Sequence, residues 1–407
     1  MMKSTRTNRS QSGAVSLFIV VFAILLMSVI TISFLRIMTN DQSKASSNDL
    51  AQSAYDSSQA GVEDAKRALV WYRANCMSAA APATCAAFIS SADDCNVGIR
   101  LAGVVKTDDI ASAGGGTGTG EIRVQQSTTV DASGESTDKA LDQAYTCVTM
   151  QLNTDDYLGA LAAHESALIP IVTTAATSNV TVEWFSREDV SNTNGTVYPS
   201  STVGSQPLLQ QADWPTDRPS VLRTQFMQVG DSFRLSDFDA TNDDSESNAN
   251  TIFLYPTTNG NTTSSLVGRD IRRDSSGDTT PDTSSATPLP VRCVTSVASG
   301  GYACSITLQL PTPIGGGDAE IAYLRLTSFY VGTHFRVSLG GAQFEGVQPI
   351  VDSTGRANDV FRRVQSRIDL YDTSFPYPDA AVDTAGNFCK DFGVTDQPDY
   401  IPGSCTP

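Results

Sequence analysis

The first pattern along the chain is an uncharged run of 22 residues, 14–35, reading AVSLFIVVFAILLMSVITISFL. As a helix rising about 1.5 Å per residue it would measure roughly 33 Å, the span of a hydrocarbon core. Between residues 36 and 72 Gly61 is the only glycine and there is no proline. Within that stretch Leu50, Ala54, Ser58, Val62, Ala65 and Leu69 recur every three or four positions. This spacing puts small and apolar groups on one stripe of a helix. The two stretches together predict one helix from residue 14 to about 73–75, some 90 Å long.

Beyond it the period changes from helical to alternating. A glycine-rich loop, residues 114–120, precedes an alternating run over 121–130, and a second run begins at Ala144. There Tyr145, Cys147 and Thr149 fall on one face, and Val148, Met150 and Leu152 on the other. Further runs cover 178–185 (SNVTVEWF), 221–229 (VLRTQFMQV), 251–255 (TIFLY), 291–297, 303–310, 319–330, 333–339 and 360–371. Turn residues separate them: Gly195, Gly230, Asn259-Gly260, Gly300-Gly301 and Gly340-Gly341. Many short strands without intervening helical patterns predict an α+β chain, a long N-terminal helix followed by a large antiparallel β-sandwich-like head. The predicted organisation is a leader over 1–13, a helix over 14–75 with its membrane span at 14–35, a connecting region over 76–160, and the head over 161–407.

Charge and cysteines then narrow the setting. The formal charge is −17, and the only cations before the apolar run are Lys3, Arg6 and Arg9. With no acid before Asp41, they should hold the leader in the cytoplasm and send the rest outward. Removing them leaves about −20, and no basic stripe remains for nucleic acid. All eight cysteines lie beyond the span, an even number, as in an oxidising compartment. Cys76, Cys85, Cys95 and Cys147 allow three pairings, of which Cys76–Cys85 with Cys95–Cys147 is favoured. Cys293 is expected to bond Cys304 across a hairpin turned at Ala298 and Ser299, and Cys389 to bond Cys405 in the tail. The absence of a C-x-x-C pair, with only two histidines, argues against a zinc site of any kind.

An apolar N-terminal run can be a cleaved signal, a permanent anchor or a pilin-type segment. The run is longer than an ordinary signal core and lacks a small-residue cleavage site behind it. A plain anchor needs no long helical stalk. Gln11-Ser12-Gly13-Ala14-Val15, a basic leader ending in glycine directly before the run, resembles a type III prepilin leader. The segment from Ala51-Gln52-Ser53-Ala54-Tyr55 to Gly61-Val62-Glu63-Asp64-Ala65 is similar to the post-membrane helix of PilX-type minor pilins and pseudopilins. The resemblance covers about 60 residues of 407. It implies cleavage between Gly13 and Ala14, methylation of Ala14, and assembly with other pilins through the helix after residence in the cytoplasmic membrane. Prepilin peptidase is then a partner, and the head ends outside the cell with a cell-surface ligand within its reach. Major pilins usually carry Glu at the fifth mature position, where this chain has Phe18, and that departure points to a minor or tip subunit. The expected function is pilus assembly, attachment or motility; the alternatives are a secretion pseudopilin or a membrane-anchored surface adhesin or enzyme.

No residue pattern demands catalysis or a cofactor. Asp237, Asp239, Asp243 and Asp244 cluster in an acidic insertion, but Asn242 and Asn248 stand where an EF-hand counted from Asp237 needs Gly and Glu. His164 and His334 have no G-x-S-x-G serine to serve and read as surface residues. Trp71 is expected to pack at the helix end and Trp184 in the core. Trp214, in a polar loop before Pro215, is the one placed for contact with a partner, although loop tryptophans usually fold back on their own domain.

Overall fold

A computed structural model describes residues 12–76, 81–105, 110–111, 120–124, 143–201, 211–229, 249–265, 288–315 and 321–371. The chain forms two compact units: residues 1–152 with 348–370, and residues 153–347 with 371–407. The first unit therefore takes in a stretch from deep within the region assigned to the head.

In the first unit α1 (Ser12–Cys76) runs unbroken for 65 residues, about 100 Å. Two short helices follow, α2 (Ala83–Ser91) and α3 (Val97–Leu101). A five-stranded sheet has the order β1-β2-β3-β14-β15, its members being β1 (Ile110–Ala111), β2 (Glu121–Arg123), β3 (Gln143–Thr154), β14 (Phe344–Ala357) and β15 (Val360–Arg367). The stripe predicted on α1 is buried from its second member on: Ala54, Ser58, Val62, Ala65 and Leu69 are all inside, as is Tyr72, while Leu50 is only half-buried. Tyr72 stacks on Phe88 of α2 at 5.3 Å between ring centroids, and Trp71 tilts against the same ring at 5.6 Å. The disulfide Cys76–Cys85 joins the end of α1 to α2.

The second unit holds two five-stranded sheets, β10-β8-β7-β12-β5 and β4-β13-β6-β11-β9. Their strands are β4 (Asp156–Leu161), β5 (Ser166–Ile171), β6 (Thr177–Ser186), β7 (Val221–Val229), β8 (Ala249–Thr257), β9 (Thr263–Ser265), β10 (Leu289–Arg292), β11 (Tyr302–Ile314), β12 (Ile321–Phe329) and β13 (Thr333–Ser338). One apolar cluster takes side chains from both sheets, among them Val182 and Trp184 of β6, Phe226 of β7, Leu324 of β12 and Phe335 of β13. Trp184 is fully buried and its indole N–H donates to the carbonyl of Ser220 at 3.0 Å, so its one polar atom is satisfied.

Three strand readings are corrected. The unit is mixed rather than purely antiparallel, because β10 pairs parallel with β8 and β9 parallel with β11. The run over 291–297 is not a hairpin arm. Its strand stops at Arg292, and only Cys293 and Val294 reach across to β11. Even so, Cys293 and Cys304 face each other as an isolated antiparallel bridge, with Cα atoms 4.1 Å apart and a disulfide between them, the expected register. Third, Tyr145 joins Val148 and Met150 among the buried residues of β3, so strict alternation fails there.

β4, β5 and β14 lie where no strand was read. Gly159 sits opposite Phe335 across the β4–β13 pair, and a Cβ there would come within 2.4 Å of that ring. The glycine that weakens β4 as a strand signal is thus the seat of a core phenylalanine. β5 carries Pro170 and is an edge strand, where a missing N–H is tolerated.

Candidate functional site

Two places in the chain carry more than packing demands: α1 with its seat on the first sheet, and a cleft in the second unit.

Among the described residues nothing covers the first part of α1. From Leu17 to Met38 its large apolar side chains are 49–72% exposed, Phe18 being 72% exposed. This helix is long and apolar enough to cross a membrane. Gly13 and Ala14 fall within its first turn. From Ala54 onward the same helix lies against the sheet at unusually short range. A Cβ on Gly355 of β14 would stand 2.1 Å from the carbonyl oxygen of Ala54 and 2.3 Å from the amide nitrogen of Ser58. A Cβ on Gly61 would stand 2.3 Å from Ser353 Oγ and 2.8 Å from Val148 Cγ2. Two glycines, one on each element, therefore set how closely helix and strand approach.

A polar bond locks this contact. The hydroxyl of Tyr145, itself 1% exposed, donates to Asp64 Oδ2 at 2.7 Å, while Arg67 donates to Asp64 Oδ1 at 2.9 Å. A hydrogen bond to a charged acceptor is worth about 1.5–3 kcal/mol. Replacing Tyr145 with Phe is expected to lower stability by that amount with no change in secondary structure, measurable by urea unfolding followed by circular dichroism.

Asn96 fastens the two short helices to β3. It has a left-handed backbone, φ 60°, and is 1% exposed. Its side-chain oxygen accepts from the amide of Val148 at 2.8 Å, and its amide group donates to the carbonyls of Thr146 at 3.1 Å and Gly120 at 3.2 Å. The adjoining Cys95 is bonded to Cys147. Closing a 52-residue separation restricts the unfolded chain by about 4 kcal/mol in the chain-entropy account, against about 2.6 for the 9-residue separation of Cys76–Cys85. Replacing Cys95 and Cys147 together by Ser is expected to lower the unfolding free energy more than replacing Cys76 and Cys85, as urea denaturation will report.

The cleft in the second unit encloses about 340 Å³ and is lined by Gly159, Ser186, Glu188, Gly301, Tyr302 and His334 among others. A 3-10 turn, Arg187–Asp189, follows β6 and is capped by Ser186, whose oxygen accepts from the amide of Glu188. Asp189 reaches back: its Oδ2 accepts from the amides of Ser186 at 2.7 Å and His334 at 2.9 Å, and its Oδ1 faces His334 Nδ1 at 2.6 Å. His334 is half-exposed on β13, while Asp189 is only 9% exposed at its side chain. Glu188, 80% exposed, places Oε2 3.6 Å from His334 Nε2. Arg187 turns away and donates to the carbonyls of Val190, Asn192 and Thr193. Burial raises the Tyr302 phenol above its ordinary range, so at neutral pH it carries its proton.

His334 is thus more than a surface residue. The sequence signal for its partner is Ser186-Arg187-Glu188-Asp189, a capping-box spacing directly after a strand. His164 stands apart from that group, its ring edge-on to Phe329 at 6.1 Å between centroids. Trp214 is 8% exposed, stacked on Tyr330 at 4.0 Å with the Arg218 guanidinium 5.4 Å from its ring, so it folds back rather than projecting. Asp237, Asp239, Asp243, Asp244, Cys389 and Cys405 lie outside the described residues, as does the leader with Lys3, Arg6 and Arg9.

No protein-family model matches the chain, and neither a curated protein nor a solved structure matches it significantly.

Proposed function

We propose that the chain is a minor subunit of a type IV pilus, anchored in the cytoplasmic membrane by residues 14–35 until assembly. The observation that supports this reading is the division of labour along α1. Its first half exposes an unbroken apolar surface, and its second half is seated on a sheet by Gly61 and Gly355. A helix fixed at one end and bare at the other is a device for joining neighbours. In a filament the bare half buries against equivalent helices, and even five large side chains at about 1.5–3 kcal/mol each make a firm joint. The second unit, its two sheets packed as a sandwich, is the outward-facing head. Catalysis has no part in this reading.

Phe18 shapes the position in the filament. The mature amino group at Ala14 has no acid on its own chain before Asp41. A subunit without the acidic partner for a neighbour's amino terminus suits a place with no subunit above it, at or near the tip. Mass spectrometry of the mature protein should find Ala14 at the N-terminus, methylated, and immunogold with antibody to the head should label sheared filaments. An intact Met1, or gold confined to the cell envelope, would refute the proposal.

A further inference from the structure

We propose that His334 and Glu188 form an open binding site for a borderline divalent transition-metal cation, for which zinc is the probe. The argument rests on what faces what. Asp189 is a carboxylate already accepting two backbone N–H groups, so the short contact to His334 Nδ1 places the ring proton on Nδ1. In the neutral ring the other nitrogen, Nε2, presents its lone pair to the cleft. Across from it stands Glu188 Oε2 at 3.6 Å, beyond hydrogen-bond range and itself an electron-pair donor. A metal cation seated between them takes the place of any proton on Nε2, because a metal-binding imidazole gives up that proton.

The spacing fits. Nitrogen and oxygen ligands about 2.0–2.2 Å from a tetrahedral zinc are separated by about 3.3–3.6 Å. The supporting shell is also in place, because a metal-binding histidine characteristically gives its other N–H to a carboxylate that fixes ring and tautomer. Here that carboxylate is buried and held by two further bonds, so the ring is aimed before any ion arrives. Among the described residues no group of three His, Cys, Asp or Glu side chains converges. This is therefore not a closed structural centre: two coordination positions stay open to the cleft for water or for a donor group of a bound molecule. One imidazole nitrogen selects zinc, copper or nickel over calcium and magnesium, which prefer all-oxygen shells. The site does not depend on the pilus reading.

The test uses the full chain in detergent with its cysteines oxidised. The sequence has only two histidines, so imidazole nitrogen NMR reports His334 directly and His164 serves as internal control. Zinc should shift the Nε2 resonance of His334 and leave His164 in place, while calcium and magnesium at the same concentration do nothing. Glu188→Gln, at an exposed position, should weaken zinc binding at least about tenfold, and Asp189→Asn by about 10–100-fold. The proposal is overturned if zinc leaves His334 unshifted, if both histidines respond alike, or if Glu188→Gln binds zinc as the unaltered chain does. A His334 ring that proves doubly protonated and indifferent to zinc overturns it as well.

Discussion

Replacing Gly355 with Val is expected to unseat α1 and remove the cooperative unfolding of the first unit. The new Cβ would meet the Ala54 carbonyl at 2.1 Å and the Ser58 amide at 2.3 Å. Both are backbone atoms inside a continuous helix, so neither can rotate aside as a side-chain tip would. Relief requires moving the helix away from β14 by more than an ångström. That movement opens the contact lined by Ala54, Ser58, Val62 and Ala65. Interiors are packed too closely to absorb such a displacement, and losses above about 4 kcal/mol belong to this kind of overpacking. Gly61→Ala is expected to cost less: alanine favours the helix by about 1 kcal/mol, and the nearest atoms are the side-chain tips of Ser353 and Val148. Gln365→Val on β15, an exposed position, controls for β-branching and should change stability by no more than about 0.5 kcal/mol. Urea unfolding monitored by hydrogen exchange within the helix decides the matter. A Gly355→Val protein that protects residues 54–72 as the unaltered one does would contradict the close seat.

The same glycines explain what the sequence hid. The helix was legible almost to the residue, because a charge-free run and a stripe at three- and four-residue spacing depend on local order alone. The strands rich in β-branched and aromatic residues, β6, β7 and β12, were legible for the same reason. β14 was not, since its sequence FEGVQPIVDSTGRA carries two glycines and a proline. Of these, Gly355 satisfies a demand from Ala54 and Ser58 of α1, about 300 positions away in sequence, that no local window contains. β4 fails similarly: Gly159 makes room for Phe335, a partner set by sheet register rather than by neighbours in the chain. The cleft was half legible. His334 stood out as one of two histidines, but the carboxylate that aims it arrives from the turn after β6. Asn96 gave no signal at all, because its role rests on a left-handed backbone, two side-chain bonds to β3 and one to the carbonyl of Gly120.

Gly13→Leu is expected to leave the leader attached and to exclude the chain from filaments altogether. The prediction rests on the proposed processing between Gly13 and Ala14, and electrostatics explains why processing would matter. The leader carries Lys3, Arg6 and Arg9 and no acid. A cation at the centre of an apolar span costs about 2.5–3.5 kcal/mol, so three retained charges cost about 7–10. Five buried apolar side chains return about 7–15 kcal/mol in a filament. The two quantities are of one size, and an uncleaved chain would surrender most of the joint that holds it. In the membrane the same charges cost little, because the leader stays in the cytoplasm. The uncleaved chain therefore remains where it was inserted. Immunoblots should show a single larger species in the membrane fraction, mass spectrometry should find the leader intact, and gold label should vanish from sheared filaments. Filaments labelled normally by Gly13→Leu protein would mean that assembly through α1 does not depend on processing between Gly13 and Ala14.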